Sequence, residues 1–187
     1  MTRDMSTSAT SLMTAEELEQ LSIPGKTFEL VRGHLVVREP PGTWHGGVQT
    51  TLSFLVTAHV RQLGLGRVYG QDTGFEIRSD PDTVRAPDLA FVAHYRVHLV
   101  PRRGYAALAP DLVAEILSPD DRPGEVLAKV ADWLDGGTKL VWVIDPERGD
   151  ARVYRGDGTI AIIGPDDTLD GEDILPGFTC RLLEILA

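Results

Sequence analysis

Leu112-Val113-Ala114-Glu115-Ile116-Leu117, Val126 to Leu134, and Leu140-Val141-Trp142-Val143-Ile144-Asp145 decide the fold of this chain. The first and third are continuous apolar runs too short for long helices, the pattern of strands covered on both faces. Between them, Val126, Val130, Trp133 and Leu134 recur at helical spacing, and Gly136-Gly137 stops the pattern. Strand, helix, strand in this order predicts a right-handed crossover between parallel neighbours.

Working outward, Ala151 to Tyr154 and Ile160 to Ile163 flank an Asp157-Gly158 turn and read as a hairpin, and Leu182 to Leu186 closes the chain. On the N-terminal side, Leu89 to Val92 and Val68 to Arg78 are strand candidates separated by a polar turn. Val48, Leu52, Leu55, Val56, Val60 and Leu63 predict a long helix over about 44–63, ended by Gly64. Phe28 to Val31 and Leu35 to Val37 about Arg32-Gly33-His34 predict another hairpin. Thr14 with Glu17 reads as a capping box opening a short helix. The expected architecture is α/β or α+β, a mixed sheet flanked by helices with extra hairpins. Residues 1–12 are expected to be a disordered tail and 13–187 one domain.

Composition narrows the function. Eighteen Lys and Arg against 28 Asp and Glu give a formal charge of −10, which opposes a general nucleic-acid coat and leaves only local phosphate contacts. One cysteine, Cys180, excludes an internal disulfide and a CxxC site. No apolar run approaches the length of a membrane span, so a cytoplasmic protein without a membrane partner is expected. The stretch from Leu89 to Pro110 has no acidic residue and carries Arg96, Arg102 and Arg103. With Arg85, these are candidate phosphate contacts.

The chemical signal is charge inside apolar segments. Glu115 lies within a doubly covered strand, Asp88 begins the strand Leu89 to Val92, and Glu29 sits between Phe28 and Leu30. Buried carboxylates are costly without a cation. Lys129 falls within the buried stripe of the crossover helix, four residues before Trp133, and can bring an ammonium to Glu115 and Asp88. Two or three carboxylates with a lysine suit a hard divalent cation of the Mg²⁺ type and phosphodiester hydrolysis. The plain alternative is a set of unrelated salt bridges. His94 and His98 lack a third zinc ligand, and Gly64-Leu65-Gly66 follows a helix instead of preceding one, against a nucleotide loop.

These residues carry a resemblance. Phe28-Glu29-Leu30-Val31-Arg32-Gly33, the helix with His45, Arg85-Ala86-Pro87-Asp88-Leu89, Glu115-Ile116-Leu117-Ser118-Pro119, Lys129 with an aromatic at 133, and Gly137 through Pro146 resemble, in order and spacing, the Uma2-type endonucleases of the PD-(D/E)xK superfamily. The resemblance runs from about Met13 to the C-terminus. It implies a restriction-endonuclease-like fold and a metal-dependent endonuclease cutting DNA, with one site per subunit and hence a homodimer. It implies Asp88 and Glu115 as ligands of Mg²⁺ or Mn²⁺ together with the Ile116 carbonyl, Lys129 as the catalytic lysine that stabilises the pentacovalent charge or helps deprotonate water, and Glu29 completing the acidic cluster or orienting a water. His45 and Gln49, one turn apart, are candidate accessory groups reaching the same cleft. The lysine of the superfamily motif, two residues after the glutamate, is Leu117 here, and the resemblance implies that the following helix supplies it as Lys129. The second reading, from that departure and the net charge, is an inactive nuclease-fold module binding nucleic acid or a protein; a hydrolase of small phosphate compounds is a third.

Overall fold

A computed structural model describes residues 12–187; apart from Leu12, the expected N-terminal tail lies outside the described residues. The crossover forms as the apolar runs predict. β7 (Leu112–Ile116) and β8 (Leu140–Asp145) pair in parallel, joined through α3 (Pro123–Asp135). Every residue of β7 is buried. Pro123 starts α3, where its missing N–H costs nothing and its fixed φ suits the first turn.

β7 and β8 are the centre of a six-stranded mixed sheet. Its order is β10 (Ile160–Ile163), β9 (Asp150–Arg155), β8, β7, β6 (Leu89–Ala93) and β3 (Gly66–Gly70), antiparallel everywhere except β7–β8. Side-chain alternation then divides the interior. Leu112, Ala114 and Ile116 face a core formed with Val48, Leu52, Val56 and Val60 of α2 (Thr43–Leu63) and with Leu182 and Ile185 of α4 (Leu182–Leu186). Val113 and Glu115 take the opposite face, where Val130 and Trp133 of α3 pack with Val141 and Val143. Trp133 is 0% exposed. Truncating such a buried indole to alanine costs about 3–5 kcal/mol, so Trp133→Ala is expected to loosen α3 from the sheet.

A second, four-stranded sheet has the order β2 (His34–Arg38), β1 (Thr27–Val31), β5 (Thr83–Arg85) and β4 (Phe75–Arg78). Leu30 and Val84 pack there with Ala15 and Leu18 of α1 (Ala15–Glu19), whose capping box at Thr14 and Glu17 forms. The β1–β2 turn places Arg32 at φ 50° and Gly33 at φ 76°, the left-handed pair of a tight hairpin.

Three details differ from the sequence expectation. The continuous strand over Val68 to Arg78 is two strands in two different sheets, because the chain turns through Gln71 to Gly74 with Asp72 at φ 65°. β5, three residues long, follows the polar turn Ser79 to Asp82 in a stretch for which the sequence predicts no element. β11 (Thr168–Asp170) and β12 (Thr179–Arg181) pair in a small third sheet and bury Leu169 and Cys180. Such short strands carry too few alternations to register as a period. No described helix is long and apolar enough to cross a membrane.

Candidate functional site

The chain passes from the smaller sheet to the larger one through Ala86-Pro87-Asp88, between β5 and β6. This seam collects the charged groups. In the antiparallel register Leu89 faces Ala114, so Asp88, one residue before β6, comes beside the end of β7. Its Oδ2 accepts the Ile116 N–H at 2.6 Å and lies 3.2 Å from His45 Nε2. In the other sheet Leu30 faces Val84, which brings Glu29 beside Arg85. From above, α3 lowers Lys129 onto both carboxylates.

Lys129 Nζ donates to Glu115 Oε2 at 2.9 Å and to the Ala86 carbonyl at 2.9 Å, and it stands 3.1 Å from Glu29 Oε1. Two of the ammonium's three donors are thus engaged in hydrogen bonds, and Glu29 stands beside it as an ion-pair partner. Glu115 Oε1 accepts the Trp133 indole N–H at 2.7 Å, so both of its oxygens are fixed from α3. Glu29 accepts Arg85 Nη1 at 2.8 Å and the Ala86 N–H at 3.0 Å. Arg38 Nε is 3.6 Å from Glu29 Oε2.

Glu29 and Glu115 carry opposite shifts for stated reasons. Burial pushes Glu29 up, but Lys129, Arg85, the Ala86 N–H and Arg38 together outweigh it and hold the carboxyl at about 2. Burial also pushes Glu115 up; Lys129 lowers it, but the Asp88 and Glu29 carboxylates add to the burial, and it stands at about 7. Burial disfavours the Lys129 ammonium, and Glu115, Glu29 and Asp88 overcome that, shifting the lysine upward. For His45 burial again opposes charge, while Asp88, the Ile116 backbone and Asp121 shift it upward. The His45 Nδ1 is buried without a hydrogen-bond partner.

An open cleft of about 660 Å³ exposes this cluster, with Glu29, His45, Asp88, Glu115, Ile116 and Lys129 in its walls. Among the described residues no three Asp, Glu, His or Cys side chains are grouped to hold a metal ion. What converges is two carboxylates beside a backbone carbonyl. That donor set suits Mg²⁺, which usually takes one or two carboxylates and keeps several waters, and does not suit zinc. Among the described residues Asp88 Oδ1 has no hydrogen-bond donor, so one oxygen remains open to a cation.

Several expected roles change. Glu29 is turned into Arg85 and Lys129, so the cation that it shares with Glu115 is the lysine itself. Arg85 is 5% exposed; it donates from Nε and Nη2 to Asp132 Oδ2 at 3.0 and 2.5 Å and from Nη1 to Glu29, leaving it as an internal clamp and not a phosphate contact. Arg96 pairs with Asp111 and the Ala109 carbonyl beyond the C-terminal end of β6, the opposite end of that strand from Asp88. Arg102 and Arg103 are exposed in the following loop. None of these four arginines lines the cleft. Gln49 does reach Asp88, but donates to its backbone carbonyl, at 3.2 Å, rather than to its carboxylate. Sequence reasoning missed Asp132 and the Trp133 indole N–H as partners. The aromatic at 133 was visible as core, but a buried indole needs an acceptor, and Glu115 one α3 contact away was the signal.

A mixed sheet with one parallel pair joined through a helix and helices packed on its faces is the architecture of the restriction-endonuclease-like class. The sequence pattern of the Uma2 family, described as "Putative restriction endonuclease", matches residues 15–184, and the chain belongs to that family. No curated protein matches the chain. Among solved structures, a crystal structure of a putative nuclease of DUF820 from Anabaena variabilis ATCC 29413 superposes with a TM-score of 0.78 at 22% identity, over 93% of this chain and 97% of that one. At that identity the likeness concerns the fold.

Proposed function

We propose that this protein is a divalent-metal-dependent endonuclease that hydrolyses phosphodiester bonds in DNA. The observation that carries the reading is the junction of Asp88, Glu115 and Lys129 in one open cleft, with the Lys129 ammonium 2.9 Å from Glu115. Family membership supports the same class of activity. Asp88, Glu115 and the Ile116 carbonyl would hold Mg²⁺ or Mn²⁺. When bound, such an ion supplies an activated water and neutralises charge on the phosphate oxygens.

The protein's own groups divide the remaining work. Lys129 is ringed by two carboxylates and a carbonyl, so it is a donor and a cation; its role is to stabilise the charge that gathers on the phosphoryl oxygens, not to take a proton. Trp133 fixes the rotamer of Glu115, and His45 with the Ile116 N–H fixes Asp88. Glu29 positions Lys129 and is itself held by Arg85. One such site cuts one strand, so cleavage of both strands takes two copies of the chain, and a cytoplasmic homodimer fits that need.

The test is plasmid nicking by the purified protein with Mg²⁺ or Mn²⁺. Asp88→Ala, Glu115→Ala and Lys129→Ala are each expected to abolish it, as is a chelator. Cutting that survives all three variants defeats the assignment. A wild type that binds DNA and never cuts it supports the inactive binding module instead.

A further inference from the structure

The cleft is poorly suited to holding a polyanion by charge. Glu39, Asp72, Asp120, Asp121, Glu125 and Glu147 stand along its walls in addition to the acids of the centre, while the charge of Lys129 is already set against Glu29 and Glu115. Arg38 is the remaining arginine of the lining, and its Nε already faces Glu29. A nucleic-acid ligand therefore needs a source of affinity that does not depend on phosphate attraction. Trp44 offers one. It lines the same cleft, is 55% exposed, and precedes His45, the residue bound to Asp88. The other two tryptophans, Trp133 and Trp142, are both 0% exposed, so Trp44 is the indole that faces solvent at this site. Pro40-Pro41-Gly42 leads into α2, whose first turn carries Trp44.

We infer that Trp44 is a stacking platform for a nucleobase next to the scissile phosphate, and that the cleft accordingly takes single-stranded or locally unpaired DNA. This rests on the proposed nuclease function. Stacking on an aromatic side chain is tolerant of base identity and insensitive to salt, unlike phosphate contacts. Trp44 would thus set substrate preference without touching the reacting atoms.

The probe is a short single-stranded oligodeoxynucleotide, beside an abasic oligomer of the same length and charge, titrated into the protein with Ca²⁺ in place of Mg²⁺. Trp44 is the exposed tryptophan, so the base-bearing strand is expected to quench its fluorescence while the abasic strand does not. Wild type is expected to bind the base-bearing strand more tightly than the abasic one by about 5- to 150-fold, the range of one stacked base. Trp44→Ala should erase that preference and Trp44→Phe should restore part of it, at low and at raised salt alike. Equal affinity of wild type for the two strands, or an unchanged preference in Trp44→Ala, overturns the inference. Mg²⁺ added to the same complexes separates the two claims. An uncut strand with quenching and base preference intact sinks the nuclease function and keeps the platform; a strand cut without either sinks the platform and keeps the nuclease.

Discussion

Replacing Arg85 by methionine removes a guanidinium that holds two acids at the seam between the sheets. Arg85 and Glu29 are 5% and 4% exposed at the side chain and Asp132 15%, so Asp132 can regain some water while Glu29 cannot. Stranding one partner of a buried pair costs about 3–5 kcal/mol; Glu29 retains Lys129 and the Ala86 N–H, which places Arg85→Met near the low end, about 3 kcal/mol. In a domain of this size that lowers Tm by roughly 6–12 °C. The double variant Glu29→Gln/Arg85→Met should lose less than the sum of the single variants, since each single change leaves the other's charge stranded. Acid supplies a second readout. Glu29 is held at about 2 against an ordinary value of 4.5, so its contribution is complete above about 4.5 and drains away as pH falls through about 2. Arg85→Met raises the folded value toward 4.5, and stability should depend less on pH across that window. Urea melts at pH 7 and at acid pH measure both quantities. A loss under about 1 kcal/mol at neutral pH, with additive double-variant energies, would refute the clamp.

Trp133→Phe keeps the buried ring but removes the 2.7 Å bond to Glu115, and calorimetry should show Mg²⁺ affinity weakened on the order of tenfold with the fold retained. Burial raises the Cys180 thiol to about 12, aided by Glu184, so iodoacetamide at pH 8 should label it only as the protein unfolds; rapid labelling of the native chain contradicts its buried place in β12. Leu117 lines the same cleft as Lys129, so Leu117→Lys placed in Lys129→Ala should recover part of the nicking activity, whereas Leu117→Met in that background should recover none.

The crossover was legible because β7 and β8 are buried on both faces and α3 on one, and each burial pattern leaves its own period in the sequence. Lys129 was legible for the same reason, as a charge on a stripe that must be dry. The break between β3 and β4 went unread although Gly70 and Gly74 bracket it, since a glycine is also tolerated inside a strand. Ionic partners were the least legible feature. Arg85 next to Pro87 and Asp88 looked like a phosphate contact because sequence shows a charge but not which acid faces it. Only the meeting of the two sheets brings Glu29 and Asp132 to its guanidinium from 56 and 47 residues away in the chain. The same meeting explains why Glu29, expected to complete the acidic cluster, is turned instead to Arg85 and Lys129.

A crystal soaked in Mn²⁺ and measured at the manganese edge tests the centre of the account most directly. One anomalous peak at ligand distance from Asp88, Glu115 and the Ile116 carbonyl, with the Lys129 ammonium beside it, is the predicted result. A peak away from the seam, or none at a concentration that supports cutting, contradicts it.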